Sequence, residues 1–324
     1  MKILVTGACG YVGSALVPHL LGIGCKVVVY DCQWFGDGHL PQGNGRLKVI
    51  KGDIRDANRV AAAMVGCEAV IHLAGLTSDA GCQLEPELSD DVNIEAFKGI
   101  VDAASSLPVK RFIFLSSAAA YGSTDTPATE ETKLSPTTRY ALAKLYCEGL
   151  LRRRSSAPWV ILRPAGVCGY APRMRFDLTV NRMVRDAFFT GEIHVHGGDQ
   201  VRPNLHIRDL IATIKIMLVE SFTPVVGQTF NLGCANLSVM EVAKIVSEAT
   251  GASIRVTPRT DNRSYSIDAS KIARTLDFLP RFTVESAVFD LHARFKSGYW
   301  RDAMTNTNYL NIRGAALETS GSPS

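Results

Sequence analysis

The 324-residue sequence has no long hydrophobic run, and no apolar stretch comes near the roughly 20 residues that a membrane-spanning helix needs. Its beginning also lacks the basic segment followed by an apolar segment that marks a secretory signal. We therefore expect a protein that is neither secreted nor inserted into a membrane, with a cytoplasmic location.

Charge of one sign is also scarce. The formal net charge is +4, and no long block of like charges interrupts the chain. This balance gives little support to binding of nucleic acid or of a membrane surface. It is compatible with a small anionic ligand, so we expect a small-molecule partner.

The eight cysteines lack any regular spacing, and no C-x-x-C pair is present. Neither a zinc site nor a disulfide framework is indicated. We expect reduced cysteines that act as small core residues, and no bound metal.

Strand-like runs are abundant in the first half of the chain. Short segments rich in Val and Ile alternate with helical patterns: KILVTG, KVVVYD, LKVIKGD, EAVIHLAG, RFIFLSS and WVILRPAG. Because these runs are almost continuously hydrophobic, the strands are expected to be buried on both faces, as in a parallel sheet covered by helices. The sequence therefore predicts an α/β fold, a Rossmann-type doubly wound parallel sheet.

The segment VTGACGYVG joins the first predicted strand to the first predicted helix. Gly7 allows a tight turn, Gly10 lets the backbone approach a pyrophosphate, and Gly13 lets helix and strand pack closely. Tyr11 and Val12 open the helix, whose N-terminus favours phosphate. The pattern predicts a dinucleotide site.

The ends of the next strands add groups to this site. Asp31 ends the second strand, where a carboxylate can accept both hydroxyls of an adenosine ribose. No cation for a 2′-phosphate follows in residues 32–34, so NAD is favoured over NADP. Asp53 and Ile54 follow the third strand, near the expected adenine, although a carboxylate in such a turn can equally be a cap. Small residues after the fourth strand let the backbone approach the cofactor: Leu73, Ala74 and Gly75.

The segment RYALAK favours a helix and places Tyr140 and Lys144 on one face, about 5–6 Å apart. Such a pair alone is typical of an ordinary amphipathic helix. Here it follows LSSAAAYG, the end of the fifth strand, in a chain with a dinucleotide turn.

Together these motifs resemble the extended short-chain dehydrogenase/reductase family, in particular its NAD-dependent nucleotide-sugar epimerase and dehydratase branch. The resemblance covers essentially residues 1–300. It implies Ser117 as the catalytic serine, with Ser116 beside it at the cofactor, and Tyr140 as the catalytic base. It also implies that Lys144 binds the nicotinamide ribose and that Asn93 is the active-site asparagine, although an Asn there can also be an N-cap.

This resemblance gives the Tyr140–Lys144 pair a chemical purpose. A free tyrosine has a pKa of about 10 and is a poor base at neutral pH. A neighbouring ammonium together with a positive nicotinamide favours the phenolate. We therefore expect a lowered pKa at Tyr140, which would take a proton from a sugar hydroxyl that Ser117 also contacts, while NAD carries the redox chemistry.

The second half of the chain supplies candidates for a nucleotide-diphosphate sugar. The segments VRPNLHIRDL and PRTDNRSYSID resemble substrate-side motifs of the branch, and arginine matches phosphate oxygens in a bidentate way. The predicted substrate contacts, besides Ser117 and Tyr140, are Arg175, Asn181, Arg202, Arg259, Asp261 and Arg263.

Two departures from the branch's patterns narrow the chemistry. Gly166 stands where many relatives have Asn, so one expected substrate amide is missing. Ala118 and Ala119 stand where 4,6-dehydratases place an Asp-Glu pair, which disfavours dehydration because no acid or base is evident there. The Cys and His of 3,5-epimerizing reductases are not evident, although Cys168 is close in sequence.

The resemblance thus implies a nucleotide-sugar epimerase that oxidises C4 with tightly bound NAD and reduces it again from the opposite face. Surface polysaccharide or specialised sugar biosynthesis is the expected setting. A C4-dehydrogenase or a dehydratase is the alternative, and a catalytically idle NAD-binding scaffold is a third, less favoured one.

The expected domains are an NAD-binding Rossmann domain, residues 1–165 and 206–233, and a smaller α/β substrate-binding domain, residues 166–205 and 234–312. Residues 313–324 are small and polar and are expected to be disordered. The resemblance also implies a homodimer through the helices at 92–106 and 139–153.

Overall fold

A computed structural model describes residues 1–219, 224–258 and 263–311. The strands are β1 (Lys2–Thr6), β2 (Lys26–Asp31), β3 (Leu47–Lys51), β4 (Ala69–His72), β5 (Arg111–Leu115), β6 (Trp159–Pro164), β7 (Gly166–Cys168), β8 (Glu192–His196), β9 (Val201–His206), β10 (Gln228–Leu232), β11 (Ala235–Ser238) and β12 (Ser253–Thr257). Seven of these form one parallel sheet in the order β10-β6-β5-β4-β1-β2-β3. This confirms the predicted doubly wound sheet and its six strands, to which β10 adds a seventh.

Helices cover both faces of the sheet. They are α1 (Tyr11–Gly22), α2 (Ala57–Met64), α3 (Asp79–Leu84), α4 (Pro86–Asp90), α5 (Ala96–Ser106), α6 (Arg139–Arg154), α7 (Thr179–Thr190), α8 (Ile207–Val219), α9 (Val239–Thr250), α10 (Ser270–Leu276) and α11 (Val284–Lys296). A π-helical turn, Asp91–Glu95, precedes α5, and single 3₁₀ turns span Ala118–Tyr121 and Thr307–Tyr309. The helix predicted around RYALAK is α6, which begins after the Thr138 N-cap.

The hydrophobic core lies on both sides of the main sheet. Ile3 and Val5 of β1 pack into the cluster that includes Leu16 of α1. Leu4, between them, packs into a second cluster that includes Phe97 of α5. Successive residues of a strand point to opposite faces, so continuous hydrophobicity in β1 follows from burial of both faces.

The second half of the chain adds two small sheets. One has the order β11-β9-β7, and the other pairs β12 with β8. Strand β10 and helix α8 come from the segment 206–233 and return to the main sheet, as the predicted domain division has it. That division stays a prediction, and residues 312–324, which include the expected disordered tail, lie outside the described residues.

A buried polar network ties α6 to the main sheet. Glu148 of α6 is fully buried, and its carboxylate accepts hydrogen bonds from Arg163 Nε and Nη2 at 2.8 and 2.7 Å. The Ser116 hydroxyl donates to the same carboxylate at 2.6 Å. Arg163 also donates to the Tyr121 hydroxyl, which donates to Asn231 of β10. One charge pair thus connects β5, β6, β10 and α6.

The two charges of this network depend on each other. Burial alone would raise the pKa of Glu148, but hydrogen bonds and charge from Arg163 hold it below its usual value. A carboxyl group with a depressed pKa in the folded state stabilises the protein above its unfolded pKa. That contribution is lost as the pH falls through the folded value.

We expect Glu148→Gln to lower the free energy of unfolding by about 3–5 kcal/mol, because it leaves the Arg163 guanidinium buried without its counter-charge. Urea unfolding at neutral pH measures the loss. Glu248→Gln, at an exposed position of α9, is the matched control. The wild type should approach the stability of the variant as the solution is acidified, and equal stabilities at neutral pH would contradict this role of the pair.

Candidate functional site

A cavity of about 310 Å³, called here the first cavity, opens at the carboxyl edge of the main sheet. It lies where the strand order reverses between β1 and β4, and residues that follow both strands line it, including Gly7 and Leu73. Open α/β sheets bind ligands at such a reversal. About half of its lining residues are ones that the sequence predicts: Gly7, Gly10, Tyr11, Val12, Gly13, Asp31, Asp53, Ile54, Leu73, Ala74, Gly75, Ser116, Ser117, Tyr140, Lys144 and Arg175.

The glycine turn after β1 has the tight packing that the sequence predicts. Gly7 has φ +73°, and a Cβ on it would lie 2.4 Å from the Ala74 backbone nitrogen. A Cβ on Gly13 would lie 2.4–2.6 Å from the backbone of Ala8. Helix α1 therefore approaches the turn closely, and the N–H groups of its first turn face the first cavity through residues 10–13.

Asp31, the last residue of β2, lies beside this turn. Its carboxylate accepts backbone hydrogen bonds from Cys9 and Gln33, at 2.9 and 2.7 Å. Burial raises the pKa of Asp31, and these two hydrogen bonds oppose that shift. The carboxylate is thus held in one orientation at the cavity wall, where it can accept from ribose hydroxyls and would repel a 2′-phosphate.

Asp53 and Ile54 also line the first cavity, but the Asp53 carboxylate has a partner on the surface. Arg55 Nε and Nη2 donate to it, at distances down to 2.6 Å, and the backbone N–H of Arg55 donates at 2.9 Å. This ion pair lowers the pKa of Asp53. The Asp53 carboxylate therefore caps its own turn and pairs with Arg55.

Asn93 lies behind the cavity wall. It belongs to the π-helical turn, so it does not cap a helix. Its amide donates to the Leu76 carbonyl at 3.1 Å and accepts from the Leu76 N–H at 2.9 Å. A Cβ on Gly75 would lie 2.7 Å from the Asn93 amide oxygen. Asn93 thus holds the loop after β4. Its neighbour Val92 is among the described residues that line the cavity, and Asn93 is not.

The predicted reacting groups meet at the opposite end of the first cavity. Ser117 ends the extended segment after β5, and Tyr140 and Lys144 lie on successive turns of α6. Lys144 Nζ donates to the Leu115 carbonyl at 2.8 Å and lies 5.7 Å from the centre of the Tyr140 ring. An ammonium has three N–H donors, so this bond orients Lys144 without using all of them.

The two neighbouring serines have different environments. Ser116 is buried, and its hydroxyl donates to Glu148. The half-buried Ser117 hydroxyl accepts from the N–H of Ala119 at 3.1 Å and lies beside the Tyr140 phenol, whose pKa it lowers. The structure therefore distinguishes Ser117 as the serine beside Tyr140.

The protein by itself does not give Tyr140 the low pKa that the sequence predicts. Burial raises the pKa of Tyr140, and this exceeds the lowering by Ser117 and by the charge of Arg175. Lys144 is itself desolvated, which lowers its own pKa. The sequence prediction missed this cost of burial, which Ser117 and Arg175 do not offset.

A second cavity of about 250 Å³ adjoins the first, and Tyr140, Thr77 and Gly166 line both. Arg202 of β9 and Arg263, two of the predicted substrate contacts, line the second cavity. Arg202 donates to the Arg263 carbonyl, and Arg263 forms an ion pair with Asp79 at 2.6 Å. Arg259 and Asp261 lie outside the described residues.

The other two substrate candidates occupy different places. Arg175 lines the first cavity, pairs with Asp177 at 2.5 Å and donates to the Thr77 hydroxyl at 3.2 Å. Asn181 is fully buried behind the wall, where its amide bonds to Gly169, Tyr11 and Arg175. The predicted substrate contact through Asn181 is not supported, because both ends of its amide are used inside the protein.

Sequence reasoning missed several lining residues. Trp34 and Phe35, from the loop after β2, line the first cavity near Asp31, and Thr77, Leu178 and Asn311 line it from other loops. The one signal in the sequence for Trp34 and Phe35 is that they follow closely after Asp31. Cys168 is buried and is not among the described residues that line either cavity.

These residues fit NAD. The glycine turn leaves backbone N–H groups for a pyrophosphate, Asp31 suits an unphosphorylated ribose, and Lys144 stands at the nicotinamide end. Over residues 1–219, 224–258 and 263–311 there is no group of three potential metal ligands. No helix in the same ranges is both long and apolar enough to cross a membrane.

We expect Gly13→Ala to weaken NAD binding at least about tenfold, because the new Cβ must push α1 away from the turn at Ala8. Titration of NADH fluorescence measures the affinity. Gly22→Ala, at the end of the same helix with no atom within 4 Å of its Cβ, is the control and should bind normally. Equal affinities of the two variants would contradict the close packing.

The comparisons with known proteins agree with this geometry. The model of the NAD-dependent epimerase/dehydratase family matches residues 3–233. An uncharacterized UDP-glucose epimerase, YtcB, of Bacillus subtilis is 29% identical over 270 residues, which cover 78% of this chain and 83% of the relative. A UDP-glucose 4-epimerase of Lactobacillus helveticus is 29% identical over 310 residues, covering 87% and 92%.

A solved structure has the same fold. The dTDP-glucose 4,6-dehydratase DesIV from Streptomyces venezuelae, with NAD and TYD bound, superposes with a TM-score of 0.85 at 24% identity, over 93% of this chain and 99% of that chain. At this identity the likeness concerns the fold. The family match and the cavity together lead to one conclusion: this chain belongs to the NAD-dependent epimerase/dehydratase family, and its cofactor is NAD.

Proposed function

We propose that this protein is an NAD-dependent nucleotide-sugar 4-epimerase that keeps its cofactor between turnovers. The observation that carries the proposal is the meeting of Ser117, Tyr140 and Lys144 at one end of the cavity whose other end is the glycine turn and Asp31. A role in surface polysaccharide or specialised sugar biosynthesis is part of the proposal. The UDP-glucose 4-epimerase of Lactobacillus helveticus, similar over most of the chain, supports a UDP-hexose substrate.

The proposed chemistry assigns a separate task to each of the three side chains. Tyr140 takes the proton of the sugar's C4 hydroxyl and later returns it, and Ser117 donates a hydrogen bond to the same oxygen. Lys144, held by the Leu115 carbonyl, binds the nicotinamide ribose and adds positive charge near the phenol. NAD, when bound, supplies the hydride acceptor and donor for this carbon.

The second cavity is the proposed place of the nucleotide diphosphate. Arg202 and Arg263 lie together on its wall, and two guanidinium groups suit the charge and shape of a diphosphate. Asp79 pairs with Arg263 and competes for the same N–H groups. We therefore propose that substrate binding replaces Asp79 as a partner of Arg263.

Epimerisation is favoured over dehydration by the groups beside Tyr140. A dehydratase must protonate a leaving hydroxyl and remove a carbon-bound proton. Here Ala118 and Ala119 follow Ser117, and among the described lining residues of the second cavity the carboxylate is Asp79, held by Arg263. The buried Cys168, whose pKa burial raises, lies off both cavities and offers no acid for a 3,5-epimerisation.

A homodimer and a cytoplasmic location stay predictions. On the predicted dimer helix α6, Leu142 and Tyr146 expose 53% and 42% of their surface. Large apolar side chains on the outside of a helix suit a contact with a second copy of the chain. This face lies opposite the site, so no residue of the proposed chemistry depends on the dimer.

We expect NAD to lower the pKa of Tyr140, because the positive nicotinamide opposes the effect of burial. The tyrosinate absorbance of the loaded protein should then gain one titration at lower pH that Tyr140→Phe removes. Since the phenolate is the base, kcat/KM should fall as the pH decreases through this loaded value. An unchanged titration on loading would refute the charge effect.

We expect Tyr140→Phe to lower turnover by about 10²–10⁴-fold, the usual contribution of a general base, while NAD still binds. Tyr146→Phe, an exposed tyrosine of the same helix, is the control and should keep full activity. Turnover of UDP-glucose and other nucleotide sugars is followed by mass spectrometry. Near-normal activity of Tyr140→Phe would reject the assigned base.

The same assay, run in deuterated water, separates the competing reactions. A 4-epimerase returns the original hydrogen to carbon, so its product carries no deuterium on carbon. A dehydratase or a C3/C5 epimerase must take deuterium from the solvent, and a dehydrogenase must accumulate NADH. Bound NAD with no turnover on the whole panel would indicate a scaffold.

A further inference from the structure

The chain returns to the first cavity close to the end of the described residues. After α11 it forms the 3₁₀ turn Thr307–Tyr309 and continues to Asn311, which lines the cavity. We call residues 307–311 the C-terminal strap. The Tyr309 carbonyl accepts from the Phe176 N–H at 2.9 Å, and the two rings pack 5.3 Å apart. The strap is thus anchored before it reaches the cavity.

Asn311 is bound at the cavity on three sides. Its amide donates to the Thr77 hydroxyl at 2.8 Å, and its carbonyl accepts from the Ser78 hydroxyl at 3.2 Å. Its amide oxygen accepts from Arg173 Nη1 at 2.5 Å. Thr77 and Ser78 belong to the loop after β4, so Asn311 attaches the strap to the part of the wall that follows Gly75.

Arg173 extends this connection to the opposite wall. It is 4% exposed, and its guanidinium lies 3.6 Å from the centre of the Phe35 ring, which lines the first cavity beside Asp31. It also donates to the Leu310 carbonyl at 3.3 Å. Burial lowers the pKa of Arg173 to about 9. Within the described part of the chain its Nε has no hydrogen-bond partner, so the hydrogen bonds that hold this buried group are to the strap.

We propose that Asn311 is a further cofactor-site residue, with Arg173 as its positioning residue, and that the strap closes the first cavity over NAD and slows its exit. Asn311 and the buried Arg173 connect Thr77 on one wall with Phe35 on the other, and Asn311 itself lines the cavity. A dinucleotide that leaves between these walls must break this connection. The inference deepens the proposed function in one respect, since an epimerase that returns the hydride to the same sugar must not release its reduced cofactor.

The test measures release of NADH without any sugar. Protein loaded with NADH is mixed with excess NAD, and the decay of NADH fluorescence gives the exit rate. Asn311→Ala removes both side-chain hydrogen bonds of Asn311, to Thr77 and from Arg173, and Asn308→Ala removes the same side chain at an exposed position of the strap. We expect about tenfold faster exit from Asn311→Ala and an unchanged rate from Asn308→Ala.

A second variant keeps the test decisive. Thr77→Val removes the hydroxyl that accepts from the Asn311 amide and from Arg175 Nη1, and it leaves the residues of the strap unchanged. If the two groups act through one hydrogen bond, the double variant should release NADH little faster than Asn311→Ala alone. Should Asn311→Ala not fold, an unchanged exit rate from Thr77→Val would overturn the proposal, as would equal rates from the folded Asn311→Ala and Asn308→Ala.

The outcome for the strap is separable from that for the reaction. Faster exit from Asn311→Ala with no turnover of any nucleotide sugar by the wild type would leave the strap standing and reject the epimerase. Turnover by the wild type with unchanged exit from the variants would do the reverse. The fluorescence assay reports cofactor retention alone, because no substrate is present.

Discussion

The attachment of helix α6 to the end of β5 is the constraint on which the site depends. Two contacts one helical turn apart make it: Lys144 donates to the Leu115 carbonyl, and Glu148 accepts from the Ser116 hydroxyl. The Arg163 guanidinium pairs with Glu148, so this carboxylate can stay charged in the core. Because Tyr140 is on the same helix and Ser117 follows the same strand, these contacts fix the distance between these two side chains, to which we assign the proposed chemistry.

In the proposed reaction a buried tyrosine has to act as a base. Burial makes Tyr140 a weaker acid, and the hydrogen bond with Ser117 and the charge of Arg175 offset this only in part. Under the proposed function, the positive nicotinamide would supply the remaining charge, and proton removal by Tyr140 would then depend on cofactor loading.

The sequence predicts those parts of the fold and of the site that depend on residues close together along the chain. The glycines at 7, 10 and 13, the carboxylate at the end of β2 and the Tyr140–Lys144 interval each require only one turn or one helix to be right. The hydrophobic runs predicted the strands for the same reason, because a strand that is buried on both faces has a continuous apolar sequence instead of an alternating one. Features that depend on a single turn, helix or strand can therefore be predicted before the fold is known.

The residues that the sequence predicted less well have partners far along the chain. Asn181 bonds to Tyr11, 170 residues away, and Asn311 bonds to Thr77, 234 residues away. No local pattern distinguishes an asparagine that lines a cavity from one that braces its wall, because the side chain can do either. Burial of Tyr140 is a property of the same kind, since it is produced by groups from several elements.

Gly166 has one more consequence, because it replaces a side chain on the wall that the two cavities share. Its neighbours on that wall, Val167 and Leu178, are aliphatic, so these three positions offer the sugar no side-chain hydrogen bond. In the proposed epimerase, a hexose that turns over these three positions would exchange one van der Waals contact for another. They would therefore favour neither stereoisomer of the sugar by hydrogen bonding.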